Sequence, residues 1–288
     1  MSVAMFGPAG NSISFTSMGY KSSLQVPEYL DKMGLDCFEY QCGRGVNIGK
    51  EKAEELGRLS AEKGIKLSLH APYYISLASL EEIKRDNSVN YILQSALAVS
   101  YMGGDRIVVH PGGLSKMPRE DATSLACETL KKAQKALDEN GLSNVHICPE
   151  TMGKINQLGN LDEVMEMCLV DERFIPCIDF GHLNSRTLGG IKTAADYNEI
   201  LDKIENKLGK DRLRVFHSHF SKIEYTKGGE KKHLTFEDRV FGPDFEPLAE
   251  CVAKRGLTPT FICESDGTQA EDARDMKRMY FSVRGDNL

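Results

Sequence analysis

The chain has 288 residues, 41% of them hydrophobic and 27% charged, with 36 Lys and Arg against 42 Asp and Glu for a net charge of −6. A chain of this size and balance can bury a full core, and its acidity excludes a general electrostatic preference for nucleic acid. No apolar stretch reaches the roughly 20 residues needed to span a bilayer, and the N-terminal MSVAMFGPAGNS lacks a basic region followed by a hydrophobic one. A protein without membrane association, located in the cytoplasm, is therefore expected, with a monomer as the default.

In chain order, alternation predicts strands near 3–7, 35–40, 66–70, 106–110, 144–149, 175–179, 213–218 and 259–264. Between them, helical spacing and Glu/Lys/Ala/Leu content predict helices at 26–33, 50–63, 79–102, 118–139, 160–169, 194–207, 245–255 and 268–282. Glycines mark several helix ends, at Gly64, Gly141 and Gly256. Eight strands alternating with eight helices predict an α/β fold, one (β/α)8 barrel spanning residues 1–288, and such a barrel typically uses about 250 residues. The stretch 219–243 is too long for a plain strand-to-helix connection and is expected to serve the active face. The cysteines, at 37, 42, 127, 148, 168, 177, 251 and 263, form no CxxC pair and several lie in apolar runs, against a secreted disulfide scaffold.

Acids and histidines recur at the ends of the apolar runs LSLHAPY, IVVHPGG, HICPETMG, IPCIDFGH, RVFHSHFS and FICESDG. Strand tips of a parallel barrel converge on one face, so His70, His110, Glu150, Asp179, His182, His217 and Glu264 are expected around one pocket. Imidazole and carboxylate together suit zinc, manganese or iron, and the number of ligands predicts more than one ion. Glu150 and Glu264 end apolar strands, where an unpaired carboxylate is costly, and metal binding explains both together; a salt bridge across the barrel mouth is the plainer reading. His217 and His219 share one face of a strand, and His217, nearer the strand proper, is preferred as ligand. His233, in the long loop, is a candidate ligand or simply an exposed loop histidine. His146 falls at the far end of its strand and is read as structural. Basic residues in the predicted mouth loops, Arg44 and Lys222 among them, are candidate phosphate contacts or ordinary solvated lysines and arginines.

The stretches LSLHAPYYISLAS, IVVHPGG, CPETMGK, IDFGHLNS and ICES, with the strand-seven histidine, resemble the endonuclease IV family of apurinic/apyrimidinic endonucleases along nearly the whole chain. The resemblance implies a barrel with a three-zinc cluster that cleaves double-stranded DNA 5′ to an abasic site; from the ligands themselves two or three zinc ions are expected, with Mn2+ or Fe2+ as alternatives. It also implies His70, His110 and Glu150 around a first ion, Glu150, Asp179, His217 and Glu264 around a second, and His182 with His233 around a third. Tyr73 matches a residue the family uses at the DNA interface. The chain departs from the family in three places. Lys231 stands where the family has an Asp that completes the third site, and an ammonium has no lone pair to donate; Glu230 is the nearest substitute. Ser76 stands where the family has Asn, and Ser218 and His219 follow His217 where it has Leu and Asn.

Two ions bridged by Glu150 would activate a water and stabilise an in-line phosphoryl displacement, with Glu150 and Glu264 as the catalytic carboxylates. The principal alternative is a single-metal sugar isomerase or epimerase of the xylose-isomerase-like superfamily, in which Glu150, Asp179, His217 and Glu264 hold the ion and His70 and His110 are left over. A non-catalytic metal- or DNA-binding barrel is the third reading, motivated by Lys231 and the acidic charge.

Overall fold

The computed structural model describes residues 3–285. Its strands are β1 Met5–Pro8, β2 Cys37–Gln41, β3 Lys66–His70, β4 Arg106–Val109, β5 His146–Pro149, β6 Cys177–Asp179, β7 His217–Phe220, β8 Lys222–Thr226, β9 Gly229–Leu234 and β10 Thr260–Cys263. Two parallel four-stranded sheets run β1-β10-β7-β6 and β2-β3-β4-β5. Parallel bridges between Ala9 and Glu39 and between Glu150 and Cys177 join their edges, which closes the eight strands into the expected (β/α)8 barrel. β8 and β9 form an antiparallel hairpin outside that ring. Among the described residues no helix is long and apolar enough to cross a membrane.

Side-chain alternation sorts the strands into two chemistries. Phe6, Phe38, Leu67, Leu69, Ile107, Val109, Ile147, Ile178, Phe216, Phe220 and Phe261 join the large core formed with the helices. Phe6, for example, stacks on Phe261 and touches Phe245 and Tyr280 of the flanking helices, with ring centroids 5.4 to 6.2 Å apart. The alternate positions turn into the barrel, where small groups such as Val108, Cys148 and Cys177 pack separately, as do Ala9, Cys37 and Ile262. Above them the same alternation carries the polar residues His70, Glu150, Asp179 and His219, all buried. The polar site is thus the continuation of the barrel's inner face.

Helix boundaries follow local chemistry. The helix Val26–Met33 begins with Pro27 in its first turn and stops at Gly34, which has φ 70°. The expected helix positions agree with the structure to within a few residues, and short helices at Ile13–Ser17, Phe180–Arg186 and Lys210–Arg214 are additional. The last of these matters: residues expected to open the seventh strand are helical, and β7 starts only at His217. The segment expected to be irregular contains the β8-β9 hairpin. All eight cysteines are free thiols, and all but Cys127 are buried.

Glu163 ties together the loops at the barrel mouth. It closes a capping box with Asn160, accepts hydrogen bonds from the Gly159 and Asn160 amides at 2.7 and 2.9 Å, and accepts Arg119 Nη2 at 2.7 Å. Burial opposes its ionisation, but Arg119 and the two amides outweigh that and hold its carboxyl below the usual range. A depressed carboxyl contributes stability above its unfolded pKa and loses it in acid. Glu163→Gln should therefore lower unfolding stability at pH 7 by roughly 2–3 kcal/mol. In denaturant titrations the gap to wild type should narrow as pH falls below the ordinary glutamate range; a gap independent of pH would contradict this account.

Candidate metal centre

Four groups of residues converge on the barrel interior and its C-terminal mouth, and three of them form one continuous centre. His70 from β3, His110 after β4 and Glu150 after β5 form the first; Glu150, Asp179, His219 and Glu264 form the second; His182, Glu230 and His233 form the third. Within each group the candidate ligand atoms lie within 4.8 Å of one another. His70 Nε2 and His110 Nε2 stand 3.3 and 3.1 Å from Glu150 Oε2. On the other oxygen, His182 Nδ1 and His219 Nδ1 each stand 3.3 Å from Glu150 Oε1. Glu150 therefore faces two sets of donors, one on each oxygen.

Neither oxygen of Glu150 makes a hydrogen bond, although the side chain is fully buried; the same is true of Asp179 Oδ2. A buried carboxylate in this state costs several kcal/mol unless another charge satisfies it. The ring nitrogens approach the Glu150 oxygens at contact distance without hydrogen-bond alignment, while His70 Nε2 and His110 Nε2 bond each other at 3.2 Å. Outer partners support the same reading. His70 Nδ1 bonds to the Ala71 carbonyl at 2.8 Å, His182 Nδ1 to the Thr151 carbonyl at 2.9 Å, and His233 Nδ1 to Ser221 Oγ at 2.8 Å. A proton on Nδ1 leaves the Nε2 lone pair of His70 and His182 facing the carboxylates, which is how a metal-ligating histidine is usually held. The donor set fits divalent cations.

Electrostatics agrees. Burial opposes ionisation of Glu150, yet His219 and His110 hold it well below the usual carboxylate range. Glu264 is likewise held down to about 2, burial being outweighed by His219. Asp179 is pushed up to about 6 by burial, which His182 only partly offsets, with Glu264 and Glu150 adding repulsion. Burial keeps the His110 ring below its ordinary pKa, which favours its neutral, lone-pair-bearing form. Several carboxylates crowd this space, and positive charge is what relieves their repulsion.

The second group contains His219, and His217 lies outside it, in the fourth group with Cys177 and His219. Because β7 runs from His217 to Phe220, its last inward-facing residue is His219, two residues or roughly 6.6 Å beyond His217 along the strand. His217 sits deeper, fully buried, with Nε2 2.9 Å from Glu39 Oε2. With His219 in the ligand position, the residues that follow are Phe220 and Ser221, an apolar then a polar residue, as in the Leu-Asn of the resemblance. The signal that finds His219 is the position of the strand's end, which the helical turn at Lys210–Arg214 shifts.

Glu230 takes its place beside His182 and His233 through a β-bulge. The hairpin pairs Tyr225 with Glu230 but Glu224 with Lys232, so Lys231 has no residue opposite it. One extra residue reverses the alternation, which brings Glu230 and His233, three apart in sequence, to the same side. Glu230 Oε2 lies 3.5 Å from His182 Nε2 and its Oε1 4.0 Å from His233 Nε2, while the Lys231 ammonium turns out to Glu224. The close approach depends on Gly153: a Cβ there would fall 2.6 Å from Glu230 Cβ and 2.9 Å from His182 Cδ2. Gly229, at φ +90°, passes just as close to the Gly153 carbonyl.

At the rim, Tyr73 is 58% exposed and its ring centroid stands 5.4 Å from those of both His70 and His110. Arg44 is exposed on the loop after β2, which the Tyr73 amide bonds through the Gly43 carbonyl at 3.2 Å. Lys222, expected among the phosphate contacts, is buried, with its ammonium 3.1 Å from Asp244 and donating to the Asp238 carbonyl at 2.7 Å. It braces the segment after the hairpin. His146 bonds the Arg173 carbonyl at 2.7 Å, consistent with a structural role. Sequence reading also passed over Glu39, an acid inside the apolar run of β2 that the fold buries completely beneath the centre.

The two histidines of β7 are separable by experiment. After zinc loading and desalting, His219→Ala should carry about one ion fewer per chain than wild type, whereas His217→Ala should keep the wild-type count by elemental analysis. The reverse pattern would return the ligand role to His217.

Comparison with known proteins agrees with this architecture. Residues 27–280 match the model of the xylose isomerase-like TIM barrel family. An uncharacterized protein of Methanocaldococcus jannaschii is 33% identical over 261 residues, 91% of each chain. A probable endonuclease 4 of Acholeplasma laidlawii is 31% identical over 181 residues, 60% of each. In fold alone, the chain is similar to the crystal structure of a D-tagatose 3-epimerase-like protein (TM-score 0.73, 18% identity, 98% of each chain). It is similar also to endonuclease IV from Thermus thermophilus (TM-score 0.68, 18% identity, 97% of this chain and 98% of that one). The chain belongs to the xylose isomerase-like TIM barrel family, as a divergent relative of its endonuclease IV members.

Proposed function

We propose that this protein is a zinc-dependent phosphodiesterase that incises double-stranded DNA 5′ to abasic sites. One observation carries the proposal: Glu150 offers one oxygen to His70 and His110 and the other to His219, which stands with Asp179 and Glu264. A single-ion site has no use for both sets. The bulged Glu230, placed beside His182 and His233, supports a third ion despite Lys231.

Divalent ions held by these residues would supply water activation and neutralisation of the phosphate's charge. The chain's own groups do the rest. Glu264, partly open to the mouth with Oε2 3.5 Å from His219 Nδ1, is placed to accept a proton from an attacking water. Asp179 uses Oδ1 to cap the helix that carries His182, through the His182 amide at 2.7 Å, and so fixes the spacing between the second and third groups. Tyr73 and Arg44 stand together at the rim, where an aromatic face suits an unstacked nucleotide and a guanidinium suits a phosphate. The overall negative charge makes such local contacts the source of DNA affinity.

A single-ion sugar epimerase remains the second reading, because Glu150, Asp179, His219 and Glu264 by themselves form a four-ligand set, and the D-tagatose 3-epimerase-like protein shares the fold. Metal count separates the two: two or three ions per chain support the nuclease, one ion the epimerase.

Zinc-loaded wild type should cleave an end-labelled duplex carrying one abasic-site analogue, immediately 5′ to it, and Glu264→Gln should reduce the cleavage to background while remaining folded. Equal cleavage by the variant would discard the carboxylate's role, and none by wild type would discard the DNA substrate. Chelation should also destabilise the fold. Each ion present at about 100 times its Kd contributes roughly 2.7 kcal/mol, so the unfolding midpoint should fall by roughly 4–5 °C per ion lost and recover on zinc addition.

A further inference from the structure

Beneath the centre lies a polar layer that the proposed chemistry leaves without a task. Glu39 points into the barrel from the middle of β2 and is fully buried. Its Oε2 accepts His217 Nε2 at 2.9 Å and Ser68 Oγ at 3.0 Å. Its Oε1 accepts Gln41 Nε2 at 3.3 Å and lies 2.9 Å from His219 Nε2, in a contact short of good hydrogen-bond alignment. β2 and β7 are not neighbours in the sheet, so this carboxylate reaches across the barrel interior.

His219 is consequently faced by carboxylates at both ends, with neither ring nitrogen hydrogen-bonded. Its Nε2 faces Glu39, while its Nδ1 faces Glu150 Oε1 at 3.3 Å and Glu264 Oε2 at 3.5 Å. His70 and His182 fix their tautomers through a carbonyl; His219 has no such partner and has Glu39 instead. We infer that Glu39 is a positioning residue for the metal centre: it holds the proton of His219 on Nε2, so that the Nδ1 lone pair is aimed at the ion shared with Glu150, Asp179 and Glu264. His217 and Ser68 occupy the second oxygen and keep the carboxylate from rotating away. A carboxylate behind a ligating imidazole both orients the ring and raises its donor strength, and losing such a partner typically costs roughly 10–100-fold in metal affinity. The plainer alternative is that Glu39 and His217 merely satisfy each other in the core. That pair alone would leave His219 indifferent to Glu39.

This inference rests on the metal-dependent reading above, and its test separates the two. Zinc affinity is measured by chelator competition on wild type, Glu39→Gln and His217→Gln, together with the visible spectrum of the cobalt-substituted proteins. Glu39→Gln should weaken one ion by roughly 10–100-fold and alter the cobalt spectrum, with the remaining ions unchanged, while His217→Gln should shift affinity far less. Wild-type affinity and spectrum in a folded Glu39→Gln would overturn the inference and leave the metal centre standing. Wild type that takes up no zinc would remove the metal reading and the inference with it. Should Glu39→Gln fail to fold, nitrogen-15 NMR of the zinc-loaded wild type decides directly: a proton on His219 Nε2 upholds the inference, and a proton on Nδ1 overturns it.

Discussion

The rest of the centre depends on one buried charge. Glu150 is fully enclosed at the end of β5, with neither oxygen hydrogen-bonded, and histidines from other strands and their loops crowd around it. Such a carboxylate is tolerable only where positive charge meets it, and the geometry opens both oxygens to it. His70 and His110 take one side, His182 and His219 the other. The barrel supplies the condition for this: its outward positions bury the large apolar residues against helices, leaving the inward face free to be small at the bottom and polar at the top.

In the third group backbone geometry decides which side chain faces the barrel mouth. Lysine at 231 would end the site if strand alternation were strict. The bulge opposite Tyr225 and Glu224 shifts the alternation by one residue, so that Glu230 faces the site and Lys231 faces Glu224 at the surface. Two glycines permit the approach, Gly153 by lacking a Cβ where Glu230 and His182 pass, and Gly229 by adopting a positive φ against the Gly153 carbonyl. The hairpin is thereby tied to the loop after β5, with the Glu230 amide on the Gly153 carbonyl at 3.2 Å.

Much of this was legible in the sequence because period and composition report which face of an element is buried. The strand tips at His70, His110, Glu150, Asp179 and Glu264 and the helices between them needed only alternation and helix-stop signals. The choice between His217 and His219 did not have that support: both lie on the same face, and the decision turned on where β7 begins. Local propensity carries the strand back to 213, whereas a short helix at Lys210–Arg214 fills that span. Lys222 misleads for a related reason, since a basic residue in a mouth loop reads as exposed until Asp244 and the Asp238 carbonyl are seen to enclose it.

By itself, then, the sequence determined the barrel, the face on which its chemistry gathers and the ligand types available there, because hydrophobic period and residue chemistry are local properties. Only the tertiary structure decided which histidine of β7 joins Glu150, Asp179 and Glu264, that Glu230 and not Lys231 lies beside His182 and His233, and that Glu39 from β2 meets two histidines of β7. Those are matters of strand end, bulge and contact across the barrel between residues 178 positions apart, and no window along the chain contains both partners.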